Sequence, residues 1–129
     1  KPETSDKMRY LMRLNAEIGT AKKADVKGYY IGGKTGTAAK VINGRYAKKR
    51  VLNAFTAILP ADNPKYQLLI MLDEPQPLKE TYGFITSGWN AVPTGGNVIA
   101  RIAPLLGVEP RFDLPPSDRL ILAASRATQ

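Results

Sequence analysis

At 129 residues, 43% of them apolar, the chain is long enough to bury one core and too short for several. It contains no cysteine and no histidine, which excludes disulfides, thiolate metal sites, histidine-based triads and the common zinc centres. Nineteen lysines and arginines against eleven acidic residues give a net charge of +8, but the basic residues form short clusters without an aromatic platform and read as solvated surface, not as a nucleic-acid footprint.

The opening Lys1-Pro2-Glu3-Thr4-Ser5-Asp6 reads as a cut inside a longer chain. Ser5 or Asp6 is expected to cap a helix whose stripe is Met8, Leu11, Met12, Asn15 and Ile18, with Gly19 as its stop. Thr20 to Lys27 is charged and irregular. Tyr29 to Val41 carries aromatic, β-branched and small residues, and Asn43-Gly44 is a strong hairpin signal, so a strand holding Lys34 should turn back there. Val51 to Leu59, closed by Pro60, and Tyr66 to Leu72, opened by Asn63-Pro64, read as two more strands of an antiparallel meander. Gln67 to Leu72 is apolar at nearly every position, which predicts a central strand covered on both faces. A loop from Asp73 to Ser87 leads to a helix with Pro93 in its first turn. Its expected stripe is Val98, Ile99, Ile102, Leu105 and Leu106, with Pro104 near its end and Gly107 as its stop. The predicted class is α+β: a three-stranded antiparallel meander flanked by two helices over residues 1–116, with 117–129 as a tail. No apolar run approaches the roughly 20 residues that span a bilayer, so any membrane anchor is expected upstream.

Two chemistries compete for Lys34. Gly28, four residues, then Gly33-Lys34-Thr35 satisfies the phosphate-loop pattern, and Leu69 to Asp73 imitates the apolar run that ends in a magnesium-binding aspartate. A phosphate loop, however, needs a strand before the first glycine and a helix starting at the lysine. Here Ala-Lys-Lys-Ala-Asp-Val-Lys precedes, bulky Tyr29-Tyr30-Ile31 fills the loop, and a hairpin follows. Lys34-Thr35-Gly36 also spells the K-T-G box of penicillin-interacting serine enzymes. That reading needs an exposed edge strand on which Thr35 and Thr37 share one face and Lys34 and Gly36 the other. Gly36 would allow close approach of a ligand, and a groove-facing Thr37 N–H could donate to an oxyanion.

The surroundings of the box carry more weight than the box. The run Gly28 to Lys40, the preceding Glu17 to Ala24, the later Ala57 to Asp62 and Tyr66 to Pro75, then Gly88-Trp89-Asn90-Ala91-Val92-Pro93 leading to Ala103-Pro104-Leu105-Leu106-Gly107, together resemble the C-terminal part of a class B penicillin-binding protein of the cell-division type. The resemblance implies the C-terminal half of a penicillin-binding, serine β-lactamase-like transpeptidase fold. It also implies a D,D-transpeptidase that acylates a serine with the D-Ala-D-Ala end of a peptidoglycan stem peptide, cross-links it to a neighbouring stem and is trapped by β-lactams. By the same resemblance, Lys34 and Thr37 are catalytic, Thr35, Gly36 and Thr37 bind substrate, and no metal or cofactor is needed. The implied partners are the stem peptide, the N-terminal half of the same domain and divisome proteins; the implied location is the periplasm, on an inner-membrane anchor supplied upstream.

The family's nucleophile sits in S-x-x-K and its helper in S-x-N, and neither follows Ser5, Ser87, Ser117 or Ser125. The chain is therefore expected to hold half a site, to be inactive alone, and to leave one sheet face and the edge of its third strand bare. Two other readings stand beside this one: a non-catalytic peptidoglycan- or partner-binding module, and an α+β domain without a ligand.

Overall fold

A computed structural model describes residues 1–114. Helix α1 (Pro2–Ile18) is followed by strands β1 (Gly32–Ile42), β2 (Arg45–Leu59) and β3 (Tyr66–Asp73) and by helix α2 (Ala91–Leu105), with one-turn 3₁₀ segments at Lys22–Ala24 and Ser87–Trp89. The three strands form one antiparallel sheet in the order β1-β2-β3. This is the α+β meander expected from the sequence, with Lys34 inside a strand and no helix starting at Lys34-Thr35. The predicted tail, 117–129, and the boundary at 116 lie outside the described residues.

Asn43 and Gly44 make the β1–β2 turn with φ of 51° and 74°, the left-handed pair that a two-residue hairpin requires. Helix α1 starts earlier than the Ser5 or Asp6 cap predicted. Lys1 is its N-cap and Pro2 takes the first turn, where a missing N–H costs nothing, while Asp6 pairs with Arg9. Gly19 ends it as expected, donating its N–H to the Asn15 carbonyl at 3.0 Å.

The central strand is β2, not β3. From Val51 to Leu59 the odd-numbered residues are buried and the even-numbered ones half-buried, the period of a strand with one face on a core. Strand β3 is an edge: Leu68, Ile70 and Leu72 pack on the core, whereas Leu69 and Met71 are more than half exposed. Its continuous apolarity therefore marks one face used inside this chain and one left open, as is the β3 edge. On α1, Met8, Leu11 and Ile18 are likewise exposed.

The core centres on Phe55, which is fully buried between β1 and α2. A Cβ added at Gly33 would stand 2.5 Å from Phe55 Cε2, and one at Gly95 would stand 2.5 Å from Phe55 Cδ1. The ring thus fills the space that two missing side chains leave. Small residues consequently lead the inner face of α2: Ala91, Val92, Gly95, Gly96, Ile99 and Ala103 are buried, and Leu105, predicted inside, is 85% exposed. Gly96 lets α2 reach the 3₁₀ segment, since its Cβ would lie 2.9 Å from Ala24 Cα.

Past α2 the chain returns beside β1, where the Arg111 N–H donates to the Gly28 carbonyl at 2.7 Å and its guanidinium grips Asp62 at 2.7 and 3.0 Å.

Because Phe55 is held on both sides, overpacking at Gly95→Ala has no relief, and the variant should lose about 1–3 kcal/mol in urea unfolding. An unchanged midpoint would mean that the ring can move. Acid should act through Asp62, whose hydrogen bond to Arg111 holds its carboxyl below the usual carboxylate range against the opposing effect of burial. A depressed folded-state value contributes stability above the unfolded carboxylate pKa of about 4 and loses it as pH falls through the folded value. The melting temperature of the unmodified chain should therefore fall more steeply between about pH 5 and 3 than that of Asp62→Asn; parallel curves would remove this pair from the acid response.

Candidate active-site groove along strand β1

Helix α1 covers the outer edge of β1 only at its start. Arg13 Nη1 donates to the Ile31 carbonyl at 2.9 Å, and Asn15 Nδ2 to the Gly33 carbonyl at 2.9 Å. The Gly33 carbonyl therefore points away from β2. Register is regular from Gly32 to Ala39, so alternation turns the backbone groups of Thr35 and Thr37 to the same outer side. Beyond Gly33 no element of the described chain pairs with this edge.

The four residues of the box lie as alternation requires. Thr35 pairs with Phe55 and Thr37 with Asn53, both on the core face, and their hydroxyls contact Thr20 and Ser87 respectively. Lys34 and Gly36 lie on the opposite face. Lys34 is exposed, with its Nζ reaching back to the Thr35 carbonyl at 2.6 Å. An added Cβ at Gly36 would meet nothing closer than 3.8 Å, so no contact among the described residues demands glycine there.

Beside Thr35 and Thr37 runs a groove of about 530 Å³, walled by Thr20, Lys22 and Lys23 on one side and by Thr86 to Trp89 on the other. Lys23 Nζ sits 3.4 Å above the Trp89 ring, and Phe84 stacks on that ring at 5.1 Å. Among the described residues no carboxylate forms an ion pair with Lys22, Lys23 or Lys34, so positive charge flanks both faces of the edge uncompensated. The lysine that the hairpin does neutralise is Lys40: hydrogen bonds to Asp73 and Glu74 raise its pKa, and it lies past the groove.

The far wall is fastened by polar groups that no sequence motif singles out. The Ser87 N–H donates to Thr37 Oγ1 at 3.0 Å, and its hydroxyl donates to the Ala54 carbonyl at 2.7 Å. Buried Asn53 donates to the Ile85 carbonyl at 2.6 Å and to Asn90 Oδ1 at 2.8 Å, and Asn90 Oδ1 also caps α2 by accepting from the Ala91 N–H. A polar residue inside an alternating apolar strand, as Asn53 is in β2, was the available signal; Thr20, Lys23 and Trp89 lie in runs that carry the family resemblance, but nothing in the sequence placed them beside β1, because only tertiary contact brings them there.

Thr37 accepts from a backbone N–H, which leaves its own proton for a ligand. Two hydroxyls, outward backbone groups and flanking ammonium groups are the chemistry that an extended anionic ligand would need. A nucleophile is another matter. Of the serines in the described residues, Ser87 is buried with its hydroxyl donated to Ala54, and Ser5 stands exposed on α1, away from the groove. No group of histidine, cysteine, aspartate or glutamate among the described residues could hold a metal, and no helix among them is long and apolar enough to cross a membrane.

The family model of the penicillin-binding protein transpeptidase domain matches residues 1–88, which include the whole box. The chain is 44% identical over 120 residues to the probable peptidoglycan D,D-transpeptidase FtsI of Caulobacter vibrioides, covering 86% of this chain and 20% of that protein. It is 39% identical over 109 residues to stage V sporulation protein D of Bacillus subtilis, covering 84% and 16%. Among solved structures, penicillin-binding protein 3 of Mycobacterium tuberculosis, complexed with ampicillin, superposes with a TM-score of 0.71 at 29% identity, over 88% of this chain and 26% of that one. The apo transpeptidase domain of penicillin-binding protein 3 from Burkholderia pseudomallei gives 0.71 at 28% identity, over 89% and 33%. The chain spans about a fifth of the length of the curated relatives it matches. It belongs to the penicillin-binding protein transpeptidase family, as part of a class B transpeptidase domain.

Proposed function

We propose that this chain supplies the K-T-G half of the active site of a cell-division-type peptidoglycan D,D-transpeptidase. The observation that carries the reading is the free edge of β1, where the hydroxyls of Thr35 and Thr37 and two outward backbone positions face a lysine-flanked groove. A stem peptide ending in D-Ala-D-Ala would lie along this edge as an added strand, with its carboxylate on the two threonines. The Thr37 N–H would donate to the oxyanion as the carbonyl becomes tetrahedral. Lys34 would bring positive charge to the nucleophile and substrate on the other face, and Gly36 would leave the space a peptide backbone needs.

The serine of S-x-x-K and the S-x-N box would come from another segment of the same domain. Its hydroxyl would attack the penultimate D-Ala carbonyl and expel the terminal D-Ala as its amine, taking up the proton. A stem-peptide amine would then displace the serine and form the cross-link. A β-lactam would acylate the same serine by ring opening, with no leaving group to depart. In this reading the intact protein works in the periplasm on an inner-membrane anchor, among divisome proteins, and the present chain alone is inactive. The absence of S-x-x-K also favours a second reading, a peptidoglycan- or partner-binding module that keeps the groove without the chemistry. An S-x-x-K followed by an S-x-N in the sequence encoded upstream decides for the enzyme, and their absence decides for the module.

Gly36→Ala separates function from packing, because nothing among the described residues opposes the added methyl and the substitution also restricts the unfolded state. In the longer transpeptidase, its melting temperature should hold or rise slightly, while penicillin acylation falls by about tenfold or more. Lys34→Ala should likewise slow acylation at little cost in stability. Acylation at the unmodified rate in both variants would take the box out of the mechanism.

A further inference from the structure

We infer that Asn15 is a positioning residue of this site: through Thr20 it sets the direction in which the Thr35 hydroxyl donates. The inference rests on the reading of β1 as the carboxylate-binding strand and adds residues that lie outside the box.

Asn15 is bonded at both ends of its carboxamide. Its Nδ2 donates to the Gly33 carbonyl at 2.9 Å, and its Oδ1 accepts from the Thr20 N–H at 3.0 Å and from the Thr20 hydroxyl at 3.2 Å. Thr20 Oγ1 in turn lies 3.0 Å from Thr35 Oγ1. A carbonyl only accepts and a backbone N–H only donates, so the carboxamide has one possible orientation, nitrogen to Gly33 and oxygen to Thr20. When the Thr20 hydroxyl donates to Asn15 Oδ1, its single proton is used there. In that arrangement Thr35 is the donor in the Thr35–Thr20 bond, where either hydroxyl could donate by distance alone, and at rest its proton is held against the Thr20 wall of the groove.

The neighbourhood is shaped for this contact. A Cβ on Gly19 would stand 2.1 Å from Asn15 Oδ1 and 2.9 Å from the Asn15 carbonyl, so a side chain at position 19 would displace the carboxamide. Asn15 also holds the carbonyl two residues before Thr35, which fixes the strand whose hydroxyl it orients.

When a carboxylate enters the groove, Thr35 turns its proton to the anion, and the Thr20 proton turns from Asn15 to the vacated lone pair of Thr35. Asn15 Oδ1 keeps the Thr20 N–H, so no group is left without a partner. No covalent bond changes; two hydroxyl rotors reverse, and the Thr20 donation strengthens the Thr35 donation to the anion.

The test is acylation of the longer transpeptidase by a penicillin and by the methyl ester of the same penicillin, in the unmodified protein and in Thr20→Val, Thr20→Ser and Asn15→Leu, with melting temperatures recorded alongside. Thr20→Val keeps the shape and removes the hydroxyl. It should slow the carboxylate form about fivefold and leave the ester unchanged, and Thr20→Ser should restore the difference. The Asn15→Leu, Thr20→Val double variant should be no slower with the carboxylate form than either single one, since both act through one relay. Equal slowing of both ligands, or none in Thr20→Val, would overturn the relay and leave Asn15 a structural tether. The Thr20→Val and Thr20→Ser pair is decisive even if Asn15→Leu fails to fold. An unmodified protein that reacts with neither ligand would instead sink the transpeptidase reading beneath it.

Discussion

The Phe55 ring lies between Gly33 and Gly95, and the position of the box follows from that contact. Gly33 immediately precedes Lys34 on β1, and Gly95 is on the inner face of α2. A side chain at either glycine would push the ring out or the elements apart. With both absent, the ring locks the depth of β1 over α2, so the hydroxyls of Thr35 and Thr37 face the groove at a fixed height. Interiors packed to crystal-like density do not yield gradually. An adjustment at Phe55 would therefore reach the groove as a displacement of the whole strand.

A second division of labour runs along β1. Helix α1 occupies its outer edge at Ile31 and Gly33, through Arg13 and Asn15, and then stops at Gly19. The exposed edge beyond is an unpaired template of the kind that proteins usually shield. Here it is flanked by lysines that form no ion pair among the described residues, which suits an anionic strand-like ligand and discourages pairing with a second copy of the same basic edge. The outer face of the sheet tells a different story. Leu69 and Met71 stand open there, and stable domains bury each apolar face against a further layer. The chain covers one face of the sheet and the other only in part, where the even-numbered β2 residues from Leu52 to Ile58 are half-buried and Met12 of α1 lies over Gly32.

Much of this was legible in the residues. The K-T-G box on a strand, the Asn43-Gly44 turn, the two helices and the antiparallel order all follow from local chemistry, and the opposition of Thr35 and Thr37 to Lys34 and Gly36 follows from strand alternation alone. The edge position of β3 did not. Leu68 to Leu72 reads as central because every side chain is apolar, but apolarity alone does not say which neighbour covers each face. Asn53 stood out as polar in an apolar run, but its partners Ile85 and Asn90 lie more than thirty residues away. The small residues of α2 gave no amphipathic signal, because they leave room for neighbours, Gly95 for Phe55 and Gly96 for Ala24. Asn15 appeared on the predicted α1 stripe as an oddly polar member, and only contact with β1 explains it.

The central claim is that this chain carries the substrate edge of a transpeptidase site and lacks its nucleophile. A fluorescent penicillin incubated with the chain alone, and then with the segment carrying S-x-x-K added in trans, tests it most directly. No covalent adduct on the chain in the mass spectrum, and label on the added segment that depends on the chain being present, is the predicted result. A stoichiometric adduct on this chain by itself would contradict the claim, as would labelling of the added segment that is indifferent to the chain.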